Sequence, residues 1–118
     1  MASILVADDD KTYRDSIRKV LEREGYQVQS AEDVDSALEA LQARRFDLVV
    51  CDYRMPGKTG MDLLQELKRQ QSTIPVLMIS AWADPATEAH AVELGAEMMK
   101  KPIRRQDLID RTAKCIGG

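Results

Sequence analysis

The chain has 118 residues, 44% of them apolar and 31% charged, which suits one hydrophobic core and is too short for two domains. Its 17 Lys and Arg against 20 Asp and Glu give a formal net charge of −3, so a direct nucleic-acid partner is not expected. No apolar run approaches a membrane span, and Asp8 interrupts the N-terminal apolar stretch too early for a signal peptide. The sequence therefore predicts a cytoplasmic protein with no membrane partner.

Strand-like and helix-like segments alternate through the first half of the chain. The first strand is predicted over Ser3–Ala7, and a helix follows from about Asp10 to Glu24, with Gly25 as its stop. Polar and apolar residues alternate from Tyr26 to Ser30, which is typical of a half-exposed edge strand. A second helix is predicted to end near the pair Arg44–Arg45.

The second half repeats this alternation. The continuous apolar run in Phe46–Cys51 predicts a central parallel strand covered on both faces. A loop over Met55–Gly60 precedes a third helix, and the run Val76–Ile79 predicts the fourth strand. Asp84-Pro85 is a good N-cap and first turn for the fourth helix. The last strand is Glu97–Lys100, and the final helical stripe contains Leu108, Ile109, Thr112, Ala113 and Ile116.

Five such strand–helix units predict an α/β fold of the (βα)5 type, a doubly wound parallel five-stranded sheet in a three-layer α/β/α arrangement. We expect residues 1–118 to form one domain, since the chain contains no interdomain linker and no internal repeat.

The polar residues that interrupt the apolar runs all fall at the same end of the predicted strands. Asp8 and Asp9 follow the first strand, Asp52 the third, Ser80 the fourth and Lys101 the fifth. In an open α/β sheet, ligands bind at the carboxyl ends of the strands beside the topological switch point. With strand order 2-1-3-4-5, the three aspartates are expected to be neighbours.

Three neighbouring carboxylates repel one another, and at least one should have a raised pKa unless a cation binds. Oxygen ligands without histidine or thiolate favour Mg²⁺. The alternative is a solvated acidic loop in which Asp10 caps the first helix. The position of Asp52 on the adjacent strand end favours the metal hypothesis.

Lys101 supplies the opposite charge beside this cluster. Its ammonium could pair with a carboxylate or with the oxygens of a phosphoryl group attached to one, and Ser80 could donate its hydroxyl to the same oxygens or simply cap its strand. A carboxylate nucleophile, a cation, a lysine and a hydroxyl together are what phosphoryl transfer requires. The expected product is an aspartyl phosphate.

The cysteines and the histidine are not predicted to form a site. Cys51 and Cys115 lack metal-ligand spacing and are expected to behave as small, wholly or partly buried apolar residues. His90, the only histidine, is expected on the surface of the fourth helix.

Four motifs in order make the sequence similar to the response-regulator receiver domains of two-component signalling. They are L-V-A-D-D-D at Leu5–Asp10, V-V-C-D-Y-R-M-P-G-K-T-G at Val49–Gly60, P-V-L-M-I-S-A at Pro75–Ala81 and K-P at Lys101-Pro102. The resemblance covers essentially the whole chain, and strand order 2-1-3-4-5 follows from it.

The resemblance implies a set of roles around the phosphoacceptor. Asp52 is expected to accept the phosphoryl group from the phosphohistidine of a histidine kinase. Asp9 is expected to ligate Mg²⁺ directly and Asp8 through water, with the backbone carbonyl of Arg54 as a further ligand and Mn²⁺ as an alternative ion.

The remaining implied roles concern switching. Ser80 is the switch hydroxyl, Lys101 contacts the phosphoryl oxygens, and the Lys101-Pro102 bond is expected to be cis. Met98 occupies the position of the family's switch aromatic, which puts the coupled hydroxyl–aromatic rotation in question. We further hypothesise that Trp82 and Arg54 shield the acyl phosphate from water.

The expected function is therefore a phosphorylation-controlled switch that assists its own phosphorylation and dephosphorylation, and not an enzyme of external substrates. The face made by the fourth helix, fifth strand and fifth helix is expected to repack. The implied partners are a sensor histidine kinase or phosphotransfer protein and a downstream effector or output domain, with a homodimer left open. Tyr13, Arg14 and Ile17 mark the expected kinase-docking side.

Three other functions share part of this pattern. A flavodoxin-type FMN carrier shares the fold, but the loop Asp8–Asp10 would repel a phosphate unless a cation intervened. An aspartate-nucleophile phosphatase needs a second aspartate where Arg54 stands. A pseudo-receiver, acting only as an interaction module, usually lacks one of the five site residues. All five occur here: Asp8, Asp9, Asp52, Ser80 and Lys101.

Overall fold

A computed structural model describes residues 1–81 and 84–117 of the chain. The strands are β1 (Ser3–Ala7), β2 (Gln27–Ala31), β3 (Leu48–Asp52), β4 (Val76–Ser80) and β5 (Glu97–Lys100). The helices are α1 (Lys11–Arg23), α2 (Val34–Ala43), α3 (Gly60–Arg69), α4 (Pro85–Glu93) and α5 (Arg105–Gly117). Each strand is followed by a helix, as the sequence predicts.

The five strands form one parallel sheet in the order β2-β1-β3-β4-β5, which confirms the predicted fold class. β3 is buried along its whole length, whereas β2 is a half-exposed edge. This difference explains why β3 is continuously apolar and β2 alternates. Because all strands run the same way, their carboxyl ends meet at a single edge of the sheet.

Helices cover both faces of the sheet and give the three-layer arrangement. Leu5 of β1 faces the core under α2, α3 and α4, while its neighbours Ile4 and Val6 face the core under α1 and α5. Alternate residues of each central strand thus fill opposite cores. Burial on both faces holds the ends of β1 and β3 in fixed positions.

The helix ends follow the local sequence. The side chains of Asp10 and Asp84 accept hydrogen bonds from the backbone N–H groups of Tyr13 and Thr87, which confirms both as N-caps. Gly25 follows α1 with a φ of 95°, a left-handed conformation that favours glycine.

One residue of the predicted final stripe was wrong. Leu108 and Thr112 are buried on α5, but Ala113 is exposed. Ile116, as predicted, and Cys115, which was not in the predicted stripe, complete it, and both pack against the core under α1 and α5. The buried positions follow the i, i+4, i+7, i+8 spacing of one helix face, and Ala113 lies outside it.

The residues with no predicted site role lie as expected. Cys51 is buried, and burial raises the pKa of its thiol to about 12, so the thiol is inert at neutral pH. Cys115 is half-buried, and His90 is exposed on α4. Within the ranges 1–81 and 84–117, no helix combines the length and apolar character that crossing a bilayer requires.

Candidate functional site

The predicted site residues meet at the carboxyl edge of the sheet. Ala7 of β1 pairs with Cys51 of β3, so the residues that follow, Asp8 and Asp52, come out side by side. Ser80 ends β4, and its carbonyl accepts a 2.8 Å hydrogen bond from the backbone N–H of Lys101. The strand register therefore brings one carboxylate pair, one hydroxyl and one lysine together.

The three aspartates form a compact oxygen cluster. Asp8, Asp9 and Asp52 each offer a carboxylate oxygen, and these oxygens lie within 4.8 Å of one another. The residues Asp8 and Asp52 are only 2% and 8% exposed, whereas Asp9 is exposed. The cluster thus has two buried members and one member open to solvent.

Burial makes the negative charge of this cluster costly. It raises the pKa of Asp8 to about 6, with the Asp52 and Asp9 charges adding to the increase and the Asp10 N–H and Lys101 opposing it. The pKa of Asp52 is also raised, mainly by burial, although Lys101 and the backbone N–H of Arg54 favour its ionised form. A raised pKa was expected from repulsion between the carboxylates; the pKa is raised, but burial is the larger cause and repulsion adds to it.

These residues fit a hard divalent cation. All three donors are carboxylate oxygens, the type that Mg²⁺ prefers. Asp9, Asp52, Arg54 and Lys101 line a cleft of about 510 Å³ that is open to solvent. Mg²⁺ usually keeps several waters when bound to proteins, and an open cleft has room for them.

Lys101 brings a positive charge to the buried carboxylates. Its Nζ lies 3.4 Å from Oδ2 of Asp52 and 4.0 Å from Oδ2 of Asp8. Its side chain is 21% exposed. The Lys101-Pro102 peptide bond is cis, as expected.

Ser80 presents a buried hydroxyl beside this charge. The residue is 2% exposed, and its Oγ has no hydrogen-bond partner among the residues that the structure describes. A buried hydroxyl without a partner is unfavourable, so Ser80 has a donor available for an incoming oxygen.

The other predicted residues occupy three different settings. Arg54 is exposed and lines the cleft. Met98 is half-buried, pairs with Met78 across β4 and β5, and packs against the core under α2, α3 and α4. The hypothesis on Trp82 falls outside the described residues.

Helix α1 supports the site in a way that the sequence did not predict. Arg14 donates a 2.7 Å hydrogen bond from Nη1 to the backbone carbonyl of Asp8. The ring of Tyr13 lies under the Lys101 ammonium, 4.1 Å from Nζ to the ring centroid. Both residues lie in the first turn after the Asp10 cap, and that spacing was the available signal.

The structural role of Gly60 was not predicted either, because its place in the loop Met55–Gly60 indicated only a turn. It is buried, begins α3, and donates a 2.8 Å hydrogen bond to the carbonyl of Tyr53. A Cβ at this position would lie 2.7 Å from the backbone oxygen of Asp52 and 3.1 Å from the Cα of Tyr53. Only glycine allows α3 to start this close to the end of β3.

We expect Gly60→Ala to lower the free energy of unfolding by about 1–3 kcal/mol, because the added methyl group must displace backbone atoms. Urea unfolding checks this. Gly117→Ala is the matched control, since a Cβ there meets nothing within 4 Å. Equal stability of Gly60→Ala and the wild type would show that β3 and α3 can separate at little cost.

Comparison with known proteins agrees with this geometry. The family model "Response regulator receiver domain" matches residues 4–113. The transcriptional regulatory protein FixJ of Bradyrhizobium diazoefficiens is 39% identical over 100 residues, covering 84% of this chain and 49% of FixJ. The phosphate regulon transcriptional regulatory protein PhoB of Escherichia coli is 35% identical over 111 residues, covering 92% of this chain and 48% of PhoB.

The fold agrees as well. The receiver domain of NtrX from Brucella abortus superposes with a TM-score of 0.89 at 35% identity, covering 97% of this chain and 98% of that one. The chain spans about half the length of the two regulators that it matches. The chain belongs to the response regulator receiver domain family, whose role in two-component systems is that of phosphoacceptor and signalling switch.

Proposed function

We propose that Asp52 is the phosphoacceptor of this receiver domain. The observation that carries the proposal is the position of its carboxylate: Oδ2 lies 3.4 Å from the Lys101 ammonium, and the carboxylate lies within the oxygen cluster with Asp8 and Asp9. Asp52 also lines the open cleft, through which a phosphoryl donor can approach.

The reaction is a displacement at phosphorus. A carboxylate oxygen of Asp52 forms a bond to phosphorus as the bond to the leaving group breaks. The leaving group is the imidazole nitrogen of a kinase phosphohistidine, or acetate when acetyl phosphate is the donor. Asp52 must be ionised to attack, and the nearby ammonium of Lys101 favours that form. The same ammonium is placed to contact the phosphoryl oxygens.

Asp9, Asp52 and the backbone carbonyl of Arg54 would hold Mg²⁺, or Mn²⁺ in its place, with Asp8 acting through a bound water. When bound, the ion offsets the negative charge that develops on the phosphoryl oxygens. In this sense the domain assists its own phosphorylation and dephosphorylation. The donor chemistry of the cluster supports this assignment.

Ser80 and Met98 are the proposed switch residues. The Ser80 hydroxyl, which has no partner among the described residues, would donate to a phosphoryl oxygen on Asp52 and shift the α4-β5-α5 face. Arg111 of α5 donates to the Glu97 carboxylate at 2.8 Å and to the Met98 carbonyl at 3.4 Å. A displacement of β5 would therefore move α5 through these Arg111 contacts.

A sensor histidine kinase or phosphotransfer protein is the proposed donor of the phosphoryl group. The proposed partner of the switched α4-β5-α5 face is an output domain, an effector or a second copy of the domain. One earlier expectation needs correction: Ile17 is 4% exposed and lies in the core. A side chain buried in the core under α1 and α5 cannot contact a kinase, so Ile17 is not part of a docking surface.

Intact-mass spectrometry after incubation with acetyl phosphate tests the proposal. We expect one added phosphoryl group in the wild type with Mg²⁺, and none in Asp52→Asn or in EDTA. Asp110→Asn, an exposed aspartate on α5, is the control and should be phosphorylated normally. Modification of Asp52→Asn to the wild-type extent would contradict the assignment. If the wild type takes no phosphoryl group and also does not bind beryllofluoride, a phosphoryl analogue, the result would favour a pseudo-receiver.

A further inference from the structure

We propose that Tyr13 is a positioning residue for phosphoryl transfer, because its ring holds the Lys101 ammonium in place beside the carboxylates. The inference rests on the proposed function, since it assigns the support of a group that acts there. Nothing in the motifs that define the site includes this tyrosine.

Three groups lie close to the Lys101 ammonium. The Tyr13 ring centroid lies 4.1 Å from Nζ, Asp52 Oδ2 3.4 Å and Asp8 Oδ2 4.0 Å away. An ammonium within about 6 Å of a ring centroid and over its face is attracted by the ring quadrupole. The aromatic face therefore adds a contact that does not depend on the two carboxylates.

Tyr13 is itself held in place. Its backbone N–H donates a 3.2 Å hydrogen bond to Oδ1 of Asp10, the N-cap of α1. Its ring is half-buried and packs against the core under α1 and α5. The ring thus sits on a helix start that is fixed directly after Asp8 and Asp9.

This support matters because a lysine side chain is flexible. Its four-carbon stem loses much rotamer freedom when the ammonium is ordered. A phosphoryl group on Asp52 needs the ammonium at its oxygens, and a ring beneath Nζ restricts the positions that it can adopt. Pre-ordering of this kind contributes to the rate of the transfer step.

Phosphorylation of Tyr13→Phe, Tyr13→Leu and the wild type by acetyl phosphate with Mg²⁺ tests the proposal. We expect Tyr13→Leu to be slower by about fivefold, as expected for one partly buried cation–π contact, and Tyr13→Phe to stay within about twofold because it keeps the ring. Tyr26→Leu is the matched control, since Tyr26 is half-buried against the same core but makes no cation–π contact with Lys101 in the described residues.

Two further measurements separate positioning from folding. In a Lys101→Met background, Tyr13→Leu should cause no further loss of phosphorylation rate. If Tyr13 acted only through folding, the loss of rate would be the same with and without Lys101. By NMR, the Lys101 Hε protons should show an upfield ring-current shift in the wild type and Tyr13→Phe that is lost in Tyr13→Leu. An unshifted wild-type signal, or equal rates for Tyr13→Leu and the wild type, overturns the inference. A wild type that takes no phosphate overturns the proposed function instead, and the NMR shift still decides the position of Lys101.

Discussion

Lys101→Met is expected to slow phosphorylation of Asp52 by acetyl phosphate by about 100-fold, the usual cost of removing one charged donor from a site where charge develops. Lys101 is the cation that contacts the Asp52 carboxylate in the described part of the chain, and methionine keeps the length of the side chain without its charge. The measurement is the initial rate of adduct formation by intact mass at saturating Mg²⁺. Acetyl phosphate is used because it needs no kinase docking.

The pH profile should change in the same variant. The Lys101 ammonium lowers the pKa of Asp52 against the effect of burial, so its removal should move the midpoint of the rate profile to higher pH. Lys100→Met is the matched control, because Lys100 is the exposed neighbour at the end of β5. A wild-type rate in Lys101→Met, or an equal loss in Lys100→Met, would show that the ammonium has no special role.

Asp8→Asn is expected to stabilise the metal-free domain by about 2–3 kcal/mol at pH 7, which is the free-energy equivalent of its pKa shift. Asp8 is 2% exposed and its pKa is raised to about 6 by burial, with Asp52 and Asp9 adding to the rise. An asparagine Oδ1 can still accept the 3.0 Å hydrogen bond from the N–H of Asp10. The substitution therefore removes a costly charge and keeps the local geometry.

The sign of the pH dependence follows from the raised pKa. The folded protein keeps the Asp8 proton to higher pH than the unfolded chain, so this group favours folding fully below its ordinary pKa of 3.8 and loses that contribution as pH rises to about 6. Urea unfolding in EDTA should show nearly equal stability of Asp8→Asn and the wild type at pH 4 and a growing advantage for the variant up to pH 7.

Mg²⁺ and a neighbouring residue provide the controls. Mg²⁺ should stabilise the wild type at pH 7 and stabilise Asp8→Asn less, since binding of a cation offsets the same repulsion. Asp9→Asn should give little stabilisation in EDTA because Asp9 is exposed. Destabilisation by Asp8→Asn at pH 7, or a pH-independent effect, would mean that the Asp8 charge is not costly in the folded state.

The order of the elements could be predicted from the sequence because each one carries its own local pattern. The apolar run before Asp52 predicted a strand buried on both faces, and β3 is one. Asp84-Pro85 predicted the start of α4, which begins at Pro85. The convergence of Asp8, Asp52, Ser80 and Lys101 followed from a parallel sheet whose strands end at the same edge. The strand order itself came from the family resemblance.

What the sequence could not reveal depends on contacts between elements. The 4.1 Å approach of Lys101 to Tyr13 joins the end of β5 to the first turn of α1; the spacing after Asp10 places Tyr13 near the site, but no local pattern links it to Lys101. The requirement for glycine at position 60 arises from a backbone oxygen of β3. The exposure of Ala113 depends on how far the face of α5 turns toward the sheet, which an apolar stripe defines only to within a residue or two.

Peptide mapping after borohydride reduction of the phosphorylated protein tests the assignment of Asp52 most directly. Borohydride reduces an aspartyl phosphate to homoserine, so the mass of the peptide identifies the residue that carried the phosphoryl group and distinguishes Asp52 from Asp8 and Asp9. We predict homoserine at position 52 only, in samples treated with acetyl phosphate and Mg²⁺, and none without Mg²⁺. Homoserine at position 8 or 9, or an unreduced Asp52 in protein that carries one phosphoryl group, would contradict the assignment.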